Sequence, residues 1–167
     1  KPTKTLLKQY ENNLKTLNTL TTLDPNPILG KYAKKRSKKY KLPYKSIELS
    51  AEKIPCTDNS FDTVVCTYSL CTIPDPVAAI KEIKRVLKPG GKFLFTEHGL
   101  APDNHIRKWQ TLLNPIEKTI AGGCNLNRDI PAIIRKGGLA LTNLKEDYIS
   151  DHLKILTYNY WGHAIKQ

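Results

Sequence analysis

The chain has 167 residues, 40% of them hydrophobic and 25% charged, with a formal charge of +12. That length suits a single domain over residues 1–167 with a real core; no apolar run reaches a membrane span and no secretory leader is visible, so a cytoplasmic protein is expected. The lysines are scattered apart from Lys31–Lys45 and lack interleaved aromatics, so they read as a solvated face and nucleic-acid binding ranks last.

In chain order, Lys4–Asn13 carries Leu6, Leu7 and Tyr10 and reads as a short amphipathic helix. Asn18–Leu23 alternates leucine with threonine and reads as a strand. Asp24-Pro25-Asn26-Pro27 turns into a basic helix over Ile28–Tyr40, which Leu42-Pro43 ends. Tyr44–Leu49 is a further strand and Ser50–Ser60 a loop. Phe61–Cys66 is short, apolar and β-branched, as a strand buried on both faces requires. Asp75 can cap the next helix, with Pro76 in its first position; Val77, Ile80, Ile83, Val86 and Leu87 then recur at helical spacing. Pro89-Gly90-Gly91 stops that helix and Phe93-Leu94-Phe95 opens a second buried strand, making a right-handed βαβ unit.

After His98 the pattern is helical over Asn104–Gln110 and Pro115–Ile120, broken by Gly122-Gly123, and helical again over Arg128–Lys136. Leu139–Asp147 and Leu153–Ala164 read as a closing antiparallel pair. The four cysteines, Cys56, Cys66, Cys71 and Cys124, show no paired metal-ligand spacing; reduced thiols and no metal are expected. The chain contains no methionine and starts at Lys1, so a fragment or a processed chain is expected.

Several of these segments are specific in combination. Ser60–Val65 (SFDTVV), Glu82–Gly91 (EIKRVLKPGG) and Glu97-His98, with Leu23–Pro27 (LDPNP) and Ala51–Asp62 upstream in the same order, resemble the class I S-adenosylmethionine-dependent methyltransferases of the type 11 group. Glu97–Ile130 is similar to the subgroup that includes alkyl-thiol methyltransferases. The resemblance implies an α/β, three-layer Rossmann-like sheet, mostly parallel with an antiparallel C-terminal strand, in the family order 3-2-1-4-5-7-6. The segments here correspond to the second to seventh strands. The first, central strand and its glycine-rich loop are missing, with Lys1-Pro2-Thr3 about where that loop should finish, so an N-terminally incomplete domain is expected.

The resemblance further implies S-adenosylmethionine as cofactor and a small, apolar small-molecule acceptor, with a thiol as first expectation. Asp24 would accept from the ribose hydroxyls, a task for an acceptor-only carboxylate; its plain alternative is a helix cap. Pro25 and Asn26 would lie against the adenine or ribose. Ser50, Ala51 and Glu52 would form the adenine loop, with Ser50 where many relatives carry aspartate. Cys66, Thr67 and Tyr68 would meet the cofactor at the carboxyl edge of the sheet, although Cys66 reads first as a small buried hydrophobe. His98 is the catalytic candidate, a group able to take a proton, or else a histidine bonded to a neighbouring loop. Glu97, Arg107, Gln110 and Arg128 would border the acceptor, with a structural role the nearer reading for Arg128. Two other readings stay open: a methyltransferase-derived protein without catalysis, and an RNA-binding protein.

Overall fold

Leucine–threonine alternation forms strand β1 (Leu20–Leu23), and the turn after it opens helix α1 (Pro27–Lys39). The computed structural model describes residues 17–150 and 152–167. The helix expected over Lys4–Asn13 and the loop end expected at Lys1-Pro2-Thr3 lie outside the described residues. Asn26 caps α1, its side chain accepting from the Ile28 amide at 2.9 Å, and Pro27 takes the first helical position. Arg36, Lys38 and Lys39 crowd the last turn, where the helix dipole favours cations. Strand β2 (Tyr44–Ile47) pairs parallel with β1, from Leu20 opposite Tyr44 to Leu23 opposite Ile47.

The chain divides into two compact units, one ending at Ser50 and the other beginning at Ala51. In the second unit β3 (Phe61–Thr67), α2 (Pro76–Val86) and β4 (Leu87–His98) form the expected βαβ arrangement, β3 and β4 pairing parallel. Asp75 caps α2, its Oδ1 accepting from the Val77 and Ala78 amides. Helices α3 (Asn104–Ile120) and α4 (Ile130–Lys136) follow, then β5 (Ala140–Tyr148), the short α5 (Lys154–Thr157) and β6 (Tyr158–Ile165). The sheet order is β3-β4-β6-β5, with β6 antiparallel to both neighbours. Thus β3, β4 and β5 run one way and β6 the other, the order and directions that the family resemblance implied for its fourth to seventh strands. β1 and β2 make a separate two-stranded sheet, and among the described residues no strand bonds to both sheets.

The core lies on one face of the four-stranded sheet. Phe93 and Phe95 of β4 meet Ile80, Ile83 and Leu87 around α2, Ile130 and Ile134 of α4, and Ala164 of β6, all buried. Gly137, just past α4, permits this packing: a Cβ there would sit 2.1 Å from Ile80 Cγ2. Arg85 ties the preceding loop to α2, donating to the Ile54 and Cys56 carbonyls and to the Glu82 and Asp58 carboxylates. Glu82 completes the tie by accepting from the Ile54 amide at 2.9 Å.

Four expectations are corrected. β3 is not buried on both faces: Val65 is 65% exposed and its partner Leu94 is also exposed, because α2 and α4 cover only the opposite side. The two helices expected around Pro115 are one, α3, with Pro115 inside it. Proline removes a single backbone donor, and the Thr111 and Thr119 hydroxyls bond back to the Arg107 and Pro115 carbonyls at 3.0 Å. Pro89-Gly90-Gly91 does not separate helix from strand; β4 starts at Leu87 and bulges through the turn, with Gly90 N donating to Lys166 O at 2.8 Å. Finally, Leu153–Thr157 belongs to α5 and its cap rather than to the last strand.

Candidate active site

In the first unit, Asp24 follows β1 directly, half-buried, with its amide donating to Ile47 O at 3.1 Å. Its Oδ1 accepts from the Asn26 amide at 2.7 Å, so Asp24 shapes the turn while Asn26, not Asp24, caps the helix. Among the described residues no donor is placed on Asp24 Oδ2. A carboxylate held at a parallel strand's carboxyl end with one oxygen open suits a ribose diol, which presents two donors. Pro25 and Asn26 are exposed beside it. Ser50 closes this unit, and Ala51 and Glu52 open the next. The Glu52 carboxylate accepts from the Asp75 amide at 2.7 Å, bracing the entry to α2.

The second unit gathers the remaining residues at the carboxyl ends of β3 and β4. Cys66 and Thr67 end β3, and Tyr68 follows with φ of +49°, a left-handed conformation that costs a bulky residue about 1–2 kcal/mol. Tyr68 is held there by its amide, which donates to Thr96 O at 2.9 Å. The backbone then swings over Glu97, whose fully buried Oε1 accepts from the Ser69 amide at 2.8 Å and from the Cys66 thiol at 3.4 Å. Burial pushes the Glu97 carboxyl up, and burial together with the Glu97 charge pushes the Cys66 thiol up as well. Cys66 therefore stays a protonated donor. Glu97 Oε2 has no hydrogen-bond partner among the described residues.

His98 ends β4 on the other side of the strand from Glu97. Its ring lies 6.3 Å from that of Tyr68, and its Nε2 lies 2.8 Å from Cys124 Sγ. Burial holds the imidazole below its ordinary pKa, so it is neutral near pH 7. Burial, with Cys71 alongside, pushes the Cys124 thiol up to about 12. Cys71 Sγ, His98 Nε2 and Cys124 Sγ all lie within 4.8 Å of one another.

Two side chains fasten the loops that carry these groups. Arg128 Nη1 donates to the Leu70 and Ile73 carbonyls, the latter at 2.7 Å. Asn125 donates to Cys71 O through both its amide and its Nδ2, each at 2.9 Å, which pins the Cys124 loop to the Cys71 loop. Gly99 allows the backbone at Arg128 to approach, since a Cβ there would meet Arg128 O at 2.4 Å. Gln110 is buried, and its amide bonds to Ala101 N, Gly99 O and Ile155 O. Arg107 is exposed and donates to Ala101 O at 3.2 Å. Gln110, Arg128 and Glu97 thus form the frame of the strand ends. Cys71 was assigned no role in the sequence reading, because its partners stand 27 and 53 positions away and only the folded loops bring the three together.

The comparisons with known proteins agree with this fold. A thiol S-methyltransferase of Rattus norvegicus, TMT1B, is 34% identical over 130 residues, which are 75% of this chain and 53% of that protein. The chain thus spans about half the length of that curated relative. Among solved structures, a SAM-dependent methyltransferase of Methanosarcina mazei superposes with a TM-score of 0.69 at 19% identity, covering 89% of this chain and 82% of that one. The [4+2]-cyclase SpnF superposes with a TM-score of 0.62 at 18% identity, covering 89% and 66%, so the fold alone does not fix a reaction. Residues 4–95, more than half of the chain, match the methyltransferase domain family. The chain belongs to that family, as a class I S-adenosylmethionine-dependent methyltransferase domain of the type 11 group with thiol S-methyltransferases among its relatives.

Proposed function

We propose that the protein carrying this chain transfers a methyl group from S-adenosylmethionine to a small, apolar thiol. The observation that carries the reading is the shared carboxyl edge of β3 and β4, where Tyr68 and His98 stand side by side. The similarity to a thiol S-methyltransferase supports sulfur as the acceptor atom. Bound by the domain, the cofactor supplies a methyl group on a sulfonium, already activated for displacement. Asp24 accepts from its ribose, Pro25, Asn26, Ser50, Ala51 and Glu52 border the nucleoside, and Cys66, Thr67 and Tyr68 offer backbone groups to its amino-acid end.

The remaining work of the chain is alignment and exclusion of water, since little acid–base chemistry is needed at carbon. His98 is the group we assign to activating the acceptor thiol, because it is neutral and stands at the strand end. Arg107 and the frame residues Glu97, Gln110 and Arg128 define the wall on the acceptor side. The four unpaired cysteines support a reducing, cytoplasmic setting, and among the described residues no helix is long and apolar enough to cross a membrane.

The test is to supply the full protein with S-adenosylmethionine and either an alkyl thiol or the matching alcohol, following product by mass spectrometry. The S-methyl product alone is expected. Binding of S-adenosylhomocysteine without any product would leave a methyltransferase-derived binding protein, and no binding at all would remove the cofactor assignment.

A further inference from the structure

We propose that Cys71, His98 and Cys124 form a three-ligand site for a thiophilic divalent ion of the zinc class, with a fourth position for an external thiol. Two thiolates and an imidazole are the donor set that zinc takes from proteins, and three protein ligands leave one tetrahedral position open, as in catalytic zinc sites. Zinc–sulfur and zinc–nitrogen bonds of about 2.3 and 2.0–2.1 Å put neighbouring ligand atoms roughly 3.5–3.8 Å apart. The three atoms here, all within 4.8 Å of one another and as close as 2.8 Å for His98 and Cys124, reach that spacing by side-chain adjustments of about an ångström.

Charge and rigidity point the same way. Cys71 and Cys124 are buried and His98 is half-buried. A dication with two thiolates is neutral overall, the form that a poorly hydrated site tolerates. Binding a third, external thiolate would leave one negative charge, and the Arg128 guanidinium lies within electrostatic reach of both cysteines. The ligand-bearing loops are fastened before any ion arrives, by the two bonds from Asn125 to Cys71 O and by Arg128 on the carbonyls of Leu70 and Ile73. Metal-site searches by spacing along the chain miss the cluster because each ligand comes from a different segment: the loop after β3, the end of β4, and the turn after α3.

The fourth position deepens the proposed thiol reading and rests on it; the three-ligand site does not. Coordination would hold the acceptor as thiolate, its proton passing to solvent on binding, so that the sulfur lone pair is available to form the new S–C bond while the old C–S pair returns to the sulfonium sulfur. His98 then activates the acceptor as a ligand.

The full protein, stripped by chelator under reducing conditions, is titrated with Co2+ and followed by absorption. One equivalent is expected, with sulfur-to-metal charge transfer, the intense visible bands of a tetrahedral ion, and displacement by Zn2+. Cys71→Ser and Cys124→Ser should each weaken binding at least about a hundredfold while circular dichroism stays native, His98→Asn should shift the visible bands, and Cys56→Ser should change nothing. Absence of tetrahedral bands, or equal loss in Cys56→Ser, overturns the site. An alkyl thiol should shift the visible bands and the matching alcohol should not. A silent thiol titration in protein that methylates thiols overturns the fourth-ligand assignment. A responsive cobalt site in protein that methylates no thiol upholds the metal site and overturns the methyl-transfer reading.

Discussion

The two units are packed unevenly. In the second, Phe93, Ile80, Leu87, Ile130 and Ile134 are almost fully buried against one sheet face. In the first, every residue of β1 is only half-buried, Ser37 is the only buried residue of α1, and Ile28, Leu29 and Tyr32 lie exposed. The nucleoside contacts we assign to Asp24, Pro25 and Asn26 thus sit on the lightly packed unit, and the groups assigned to the acceptor sit on the densely packed one. A displacement that depends on alignment is well served by a rigid acceptor side.

The largest expected effect tests the packing contrast. Phe93→Ala should cost about 3–5 kcal/mol in denaturant unfolding, whereas Leu29→Ala should stay within about 0.5 kcal/mol. Similar losses in both would erase the contrast. Next comes Asp24→Ala, which should weaken S-adenosylhomocysteine by about 1.5–3 kcal/mol in calorimetry, roughly ten- to hundredfold, while Cys66→Ala leaves it nearly unchanged. Equal affinities in the two variants would remove the ribose contact from the first unit.

Gly137→Ala sharpens the picture of the second unit, because the added methyl meets Ile80 in a filled core. A loss of about 1–3 kcal/mol is expected, and a neutral result would mean that α4 can shift on α2. The smallest effect concerns the Glu82–Arg85 tie. Arg85 beside it holds the Glu82 carboxyl down to about 2 from an ordinary 4.5. A depressed carboxyl stabilises the fold above its unfolded value, so this contribution is intact above about pH 4.5 and drains as pH falls towards about 2. Glu82→Gln should cost about 1–2 kcal/mol at neutral pH and flatten that acid limb in pH-dependent melting.

Much of the fold was readable because local signals agreed with one another. Asp75-Pro76 announced α2, the apolar spacing from Val77 to Leu87 named its buried side, and the family motifs ordered β3, β4, β6 and β5. The errors came where tertiary context overrides local chemistry. Pro115 ends a helix in isolation, yet α3 runs through it with the loss of one backbone donor, and an apolar strand such as β3 does not say how many of its sides are covered. The candidate site was half legible. His98 was visible from its place at the end of a strand, while the frame role of Gln110 depends on carbonyls from Gly99 and Ile155, which no spacing rule connects. Cys71 and Cys124 come together only in the folded loops, which Asn125 fastens through Cys71 O.

The placement of β6 sets a schedule for biosynthesis. Because Tyr158–Ile165 hydrogen-bonds to β4 on one flank and β5 on the other, a nascent polypeptide halted before Tyr158 leaves that flank of β4 without a backbone partner. Such an intermediate presents backbone donors and acceptors to any extended neighbour, and ribosome-bound chaperones would have most to do in that interval. The four-stranded sheet therefore closes only once β6 is in place to join β4 to β5.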